Sequence, residues 1–160
     1  MKVEFSQYEF VRMKLFGIPT AAGDYRLSCA LNYIKCYGIY DVDLIINQFA
    51  KYKVTQHFLI AREGVIYQMV TEKDIAYHAG VSRLHDGSTG INSRSIGIEI
   101  ITSFDEAPSA LQMDASVKLV KYLKEKYQVK YVLRHSDIAP GRKTDPWNMN
   151  WKEFLEQIEN

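Results

Sequence analysis

The stretch Ser95-Ile96-Gly97-Ile98-Glu99-Ile100-Ile101 is the strongest constraint on what this chain folds into. It is apolar at odd and even positions alike, which marks a strand covered on both faces at the centre of a sheet. Glu99 is its one charge, and a carboxylate in such a strand needs a partner or a task.

The neighbouring segments supply strands and helices to build around it. Val54-Thr55-Gln56-His57-Phe58-Leu59-Ile60 and Val65-Ile66-Tyr67-Gln68-Met69-Val70 flank Arg62-Glu63-Gly64, a hairpin whose glycine suits a left-handed turn position. Val11 to Ile18 reads as a strand ended by Pro19, and Lys130 to Leu133 as another. Leu27, Ala30, Leu31 and Ile34 recur at three and four, predicting a helix from Leu27 to Tyr37 that stops at Gly38. Asp41 and Asp43 open a second helix through Leu44, Ile45, Phe49 and Ala50. A long helix follows Pro108-Ser109 through Leu111, Val117, Val120 and Leu123, and Trp151, Phe154, Leu155 and Ile158 mark a closing one. The segments from Thr71 to Arg94 and from Arg134 to Trp147 read as loops; the first is long enough to suggest a function. The expected architecture is α/β, a single mixed central sheet flanked by helices.

With 160 residues the chain is expected to form one domain, residues 1–160, with an ample core. Its 47% apolar residues and its 7 Phe, 11 Tyr and 2 Trp exclude a disordered chain. Lys plus Arg number 20 against 19 Asp plus Glu, so no global field steers it to nucleic acid or an anionic membrane. A monomer is the default expectation. Cys29 and Cys36, seven apart, would stand about 10 Å from each other along a helix, too far for a bridge. The polar and acidic start, Met-Lys-Val-Glu-Phe-Ser-Gln-Tyr-Glu, lacks the apolar run of a signal peptide, and a cytoplasmic location is expected.

Chemistry concentrates in Arg134-His135-Ser136-Asp137-Ile138-Ala139-Pro140-Gly141-Arg142-Lys143-Thr144-Asp145-Pro146-Trp147, a loop stiffened by prolines. His135 and Asp145 are ordinary zinc donors, and Lys143 would bring a positive charge to a developing oxyanion. The same run also reads as a solvated turn around a satisfied histidine, because His and Asp ten apart are not by themselves a metal motif. Glu99 reads either as a general base acting on a metal-bound water or as an ion-paired strand residue.

Four segments together resemble the zinc N-acetylmuramoyl-L-alanine amidases. They are His57-Phe58-Leu59-Ile60, Tyr77-His78-Ala79-Gly80-Val81-Ser82-Arg83, Asn92 to Ile100, and the run from His135 to Pro146. The nearest branch is the anhydromuramyl-peptide amidases of cell-wall recycling, with phage amidases and peptidoglycan-recognition proteins as relatives. The resemblance implies one zinc in an open groove and cleavage of the amide between the muramic lactyl group and L-alanine, in peptidoglycan or in soluble muropeptide. It assigns zinc binding to His135 and Asp145, catalysis to Glu99 and Lys143, and substrate contacts to His78 and Arg94. His57 is expected to be structural. A phage endolysin, released to the wall through a membrane hole, would also carry no leader.

One feature of the family pattern is missing. The first zinc ligand should be a histidine ending the N-terminal strand, yet Leu15-Phe16-Gly17-Ile18-Pro19-Thr20-Ala21 contains none, and His57 is the first histidine of the chain. Either Asp24, Cys29 or His85 supplies that ligand from elsewhere, or two ligands hold the metal weakly, or the chain binds muropeptide without cleaving it.

Overall fold

The computed structural model describes residues 40–160 in full and, before them, the strands Val11–Arg12, Ile18–Pro19 and Ser28–Lys35. In chain order the elements are β1 (Val11–Arg12), β2 (Ile18–Pro19), β3 (Ser28–Lys35), α1 (Val42–Tyr52), β4 (Phe58–Ile60), β5 (Ile66–Gln68) and β6 (Asp74–Ile75). A 3-10 turn at Ile91–Arg94 leads into β7 (Ser95–Thr102), followed by α2 (Ala110–Lys126), β8 (Tyr131–Arg134), α3 (His135–Ile138) and α4 (Trp151–Glu159).

Six strands form a mixed sheet in the order β1-β5-β4-β7-β3-β8. Only the hairpin pair β4 and β5 is antiparallel; β1 with β5, β4 with β7, β7 with β3 and β3 with β8 are parallel. The hairpin forms where the sequence places it, with Gly64 at φ 83° donating its N–H to the Ala61 carbonyl at 2.9 Å.

All eight residues of β7 are buried, and their alternation divides the molecule. Ile96, Ile98 and Ile100 pack with Phe58 and Ile60 under Ala115, Leu119, Val120 and Leu123 of α2 and Phe154 and Ile158 of α4. Ile101 belongs to the opposite side, with Leu59, Met69 and Ile45, Ile46 and Phe49 of α1. Glu99 and Gly97 share that second face by the period of two.

The helix starts follow from their caps. The Leu44 N–H donates to the Asp41 carboxylate at 3.0 Å, opening α1. At α2, Ser109 and Gln112 form a reciprocal capping box at 3.1 and 3.0 Å. The Gln112 amide also donates to the Ile60 and Ile101 carbonyls, fastening α2 to the ends of β4 and β7.

Two expectations are corrected. The segment predicted as a helix from Leu27 to Tyr37 contains the strand β3, hydrogen-bonded to β7 on one side and to β8 on the other. A strand paired on both edges need not carry a period of two, and the apolar spacing here coincides with the three-and-four pattern of a helix. The two described ends of the strand expected from Val11 to Ile18 belong to different sheets, β1 to the main sheet and β2 to a two-stranded ribbon with β6. Pro19 does not stop β2 but belongs to it, opposite Asp74, in an edge position that tolerates the missing donor. The N-terminal start, residues 13–17, Asp24 and Cys36 lie outside the described residues.

Candidate active site

The carboxyl end of β8 and the middle of β7 bring the sequence's chemical residues to the α1 face of the sheet. Glu99 is 4% exposed there. Burial pushes its carboxyl up to about 8; the nearby Asp145 charge pushes the same way, while the Gln56 hydrogen bond and the Lys143 charge oppose it. Gln56, buried just before β4, donates Nε2–H to Glu99 Oε2 at 2.9 Å. Oε1 is therefore the oxygen left to carry or release the proton.

His135 opens α3 directly after β8, and Asp145 lies ten residues on; both are buried. His135 Nδ1 and Asp145 Oδ2 are 3.0 Å apart. The Ser136 N–H donates to the Asp145 carbonyl at 3.0 Å, and the Lys143 N–H to the Ala139 carbonyl at 3.0 Å, so the intervening loop folds back over α3. Lys143 is half-buried and close enough to Glu99 for its charge to act on the carboxyl.

The two other buried histidines lie beneath this group. Gly97 N–H donates to His57 Nδ1 at 3.0 Å, so the proton of His57 is on Nε2 and goes to the Asp74 carbonyl at 3.1 Å. Burial lowers its pKa to about 4, leaving a neutral ring with both nitrogens bonded to the backbone. His78 is buried rather than open to a groove. The single Ser95 hydroxyl proton goes to the Ile91 carbonyl at 2.6 Å, so Ser95 Oγ accepts from His78 Nε2–H at 3.1 Å. Burial, with the neighbouring His57 and His135 rings, lowers His78 to about 3. Its ring lies on Gly97, where a Cβ would fall 2.3 Å from His78 Cγ. Arg94 ends the 3-10 turn, half-buried.

Three contributors were not legible as such in the sequence. Gln56 holds Glu99, and its only trace is a polar residue at the start of an apolar strand. Asn92 accepts the His78 and Ala79 N–H groups through Oδ1 at 3.1 and 2.8 Å, fixing the loop that carries His78. Arg142, in the same loop as Lys143, donates Nη2–H to the Ala79 and Val81 carbonyls at 2.8 Å each. A cavity of about 340 Å³ lined by Arg83, Leu84, His85, Gly87, Asp137 and Pro140 borders α3, but neither Glu99 nor His135 lines it.

An imidazole nitrogen and a carboxylate oxygen, both buried and 3.0 Å apart, fit two positions on a zinc ion, and His135 Nε2 has no hydrogen-bond partner among the described residues. A catalytic zinc takes three protein ligands. Among the described residues no three His, Cys, Asp or Glu side chains come together. His85, a candidate third ligand, is exposed and packs edge-on against Tyr131, which opens β8 four residues before His135. Cys29 pairs with Ile96 and Val132, three rows from Glu99 or about 10 Å along the strand.

Residues 21–148 match the N-acetylmuramoyl-L-alanine amidase family. The chain is 30% identical over 143 residues to N-acetylmuramoyl-L-alanine amidase AmiD of Escherichia coli, covering 76% of this chain and 50% of that protein. To the 1,6-anhydro-N-acetylmuramyl-L-alanine amidase AmpD of the same organism it is 36% identical over 110 residues, 67% of this chain and 60% of the relative. It thus spans half to three-fifths of the length of these two relatives. The fold is that of the crystal structure of an AmpD derivative, with a TM-score of 0.76 at 27% identity over 94% of both chains. It is equally similar to AmiD in complex with the substrate anhydro-N-acetylmuramic acid-L-Ala-D-gamma-Glu-L-Lys, with a TM-score of 0.74 at 27% identity over 88% of this chain and 60% of the other. The family match over most of the chain and the shared fold agree, and the chain belongs to the N-acetylmuramoyl-L-alanine amidase family.

Proposed function

We propose that this chain hydrolyses the amide between the lactyl group of N-acetylmuramic acid and L-alanine, in soluble muropeptides before intact wall. The observation that carries the reading is a buried, proton-holding Glu99 on the same sheet face as the His135–Asp145 pair, with Lys143 beside it. The near-neutral charge gives no attraction to an anionic wall, which favours a small soluble substrate.

In the reaction a water oxygen bonds to the lactyl carbonyl carbon, the carbon–nitrogen bond breaks, and one proton passes to the leaving L-alanine nitrogen. A zinc ion held by His135 and Asp145 supplies a Lewis acid and an acidified water when bound. In its ionised form Glu99 would take a proton at Oε1 from the attacking water and return it to the nitrogen, while Gln56 keeps Oε2 occupied. The Lys143 ammonium stabilises the charge that develops on the carbonyl oxygen. Arg94, on the rim, pairs with a carboxylate of the stem peptide. His78, locked to Ser95 and neutral, supports the site from beneath, through Gly97 and His57.

The test is incubation of the purified chain, with zinc added, with anhydro-N-acetylmuramyl-tripeptide, and mass-spectrometric detection of free peptide. Release that Glu99→Ala or Lys143→Ala abolishes supports the reading; no release at any zinc concentration rejects it. A second reading, binding without cleavage, draws on the donor set falling one short, and it expects wild-type affinity for the muropeptide after His135→Ala.

A further inference from the structure

The strand register identifies the position that the donor set lacks. β3 runs between the two strands that carry the site, paired on one side with β7 and on the other with β8. Asn32 is the register partner of Glu99, and Leu31 is the partner of Arg134, the residue before His135. Position 32 is therefore the one place on β3 adjacent both to the proton-moving carboxyl and to the start of α3. The segment Leu15 to Ala21 includes β2, whose partner is β6 in a separate ribbon.

The other histidines are accounted for. Both nitrogens of His57 bond to the backbone, His78 commits Nε2–H to Ser95, and His85 stands exposed against Tyr131. We propose that position 32, by its register beside Glu99, is the place in the sheet from which a third donor would come, and that asparagine there, in place of an imidazole or carboxylate, leaves the chain with a two-ligand zinc site that holds the ion weakly. The inference deepens the amidase reading and rests on it for the identity of the metal.

The chemistry of the donors gives the reason. Zinc is bound by thiolate, imidazole and carboxylate, whereas an uncharged amide carbonyl is a hard oxygen better matched to magnesium, calcium or manganese. Apparent zinc affinities of four-ligand sites, divided over their ligands, amount to two or more decades in binding constant for each. Restoring a strong donor at position 32 should then tighten zinc on the order of 10²-fold.

The experiment is competition for zinc against a chromogenic chelator, with metal-free wild type, Asn32→His, Asn32→Asp, and each variant combined with His135→Ala. Thermal melting of each metal-free variant establishes folding first. Tightening of about 10²-fold in Asn32→His, a smaller gain in Asn32→Asp, and loss of both gains with His135→Ala support the inference. Aspartate matches asparagine in size, so it decides the question if the histidine variant does not fold. Wild type that binds one zinc as tightly as Asn32→His overturns the proposal, as do variants that gain nothing or gains that survive His135→Ala. Zinc is measured without muropeptide, so the two readings fail separately. A zinc-loaded Asn32→His that leaves the muropeptide uncut rejects the amidase reading and leaves the metal inference standing.

Discussion

Replacing Glu99 with glutamine should make the metal-free protein more stable, and increasingly so as the solution becomes alkaline. Glu99 has a pKa of about 8 in the fold against an ordinary 4.5, so the folded chain holds this proton more tightly than the unfolded one. The stability this contributes is complete below about pH 4.5 and is lost as the pH rises through the folded value. Each unit of displacement is worth about 1.4 kcal/mol, so the loss is about 2 kcal/mol at pH 6 and nearly 5 kcal/mol at pH 9. That is a large share of the roughly 5–15 kcal/mol that stabilises an ordinary domain. Glutamine is neutral at every pH, accepts from Gln56 through its own carbonyl, and removes the penalty. Urea unfolding of wild type and Glu99→Gln in chelator, from pH 5 to 9, should give curves that lie together at the acid end and diverge steadily. Curves parallel across that range would mean that the fold already accommodates an ionised Glu99, and the argument from burial would be wrong.

Three further outcomes follow from single contacts. Gly97→Ala drives a Cβ into the His78 ring and should cost about 3 kcal/mol in urea unfolding, since the ring is fixed by Ser95 and has little room to yield; a cost under about 1 kcal/mol would contradict that rigidity. Gln56→Met removes the donor that holds Glu99 Oε2 and lowers its pKa, so the alkaline loss of wild-type stability should move to higher pH; an unmoved midpoint rejects the coupling. Ser109→Ala deletes the α2 cap and the 2.6 Å hydrogen bond to the Arg62 carbonyl; a loss of about 1–2 kcal/mol is expected from thermal melts, with no change in zinc binding.

Much of this molecule could be read before its fold was known, for identifiable reasons. The hairpin around Gly64, the helix behind Ser109 and the strand containing Glu99 each carry a local signal, a turn glycine, a cap or an uninterrupted apolar run. The run from His135 to Pro146 is dense in charged and stiffening residues, but its residue types alone fit a solvated turn as well as a site, and only its resemblance to the amidases singles it out. β3 is hard to read because its identity lies in its neighbours: Leu27, Ala30, Leu31 and Ile34 recur at helical spacing, and only pairing with β7 and β8 makes Ser28–Lys35 a strand. Asn32 likewise has no meaning until its row beside Glu99 is known. Arg142 shows the converse limit, for nothing in a cationic loop residue reveals that its hydrogen bonds go to two backbone carbonyls some sixty positions earlier.

Those two carbonyls give Arg142 a consequence beyond its own contacts. The guanidinium lies against Gly80, whose left-handed φ of 58° turns the chain between Ala79 and Val81, so the loop before β7 and the loop after β8 are joined at one point. Recombination between relatives would then have to transmit the two segments together. A chimera that takes the Arg142 loop from one parent and the Gly80 loop from another inherits a cation without its acceptors, or acceptors without their cation. Exchange points placed within α2, which lies between the two loops in sequence, would separate the halves of this joint, whereas substitutions confined to the solvent side of that helix would leave it whole.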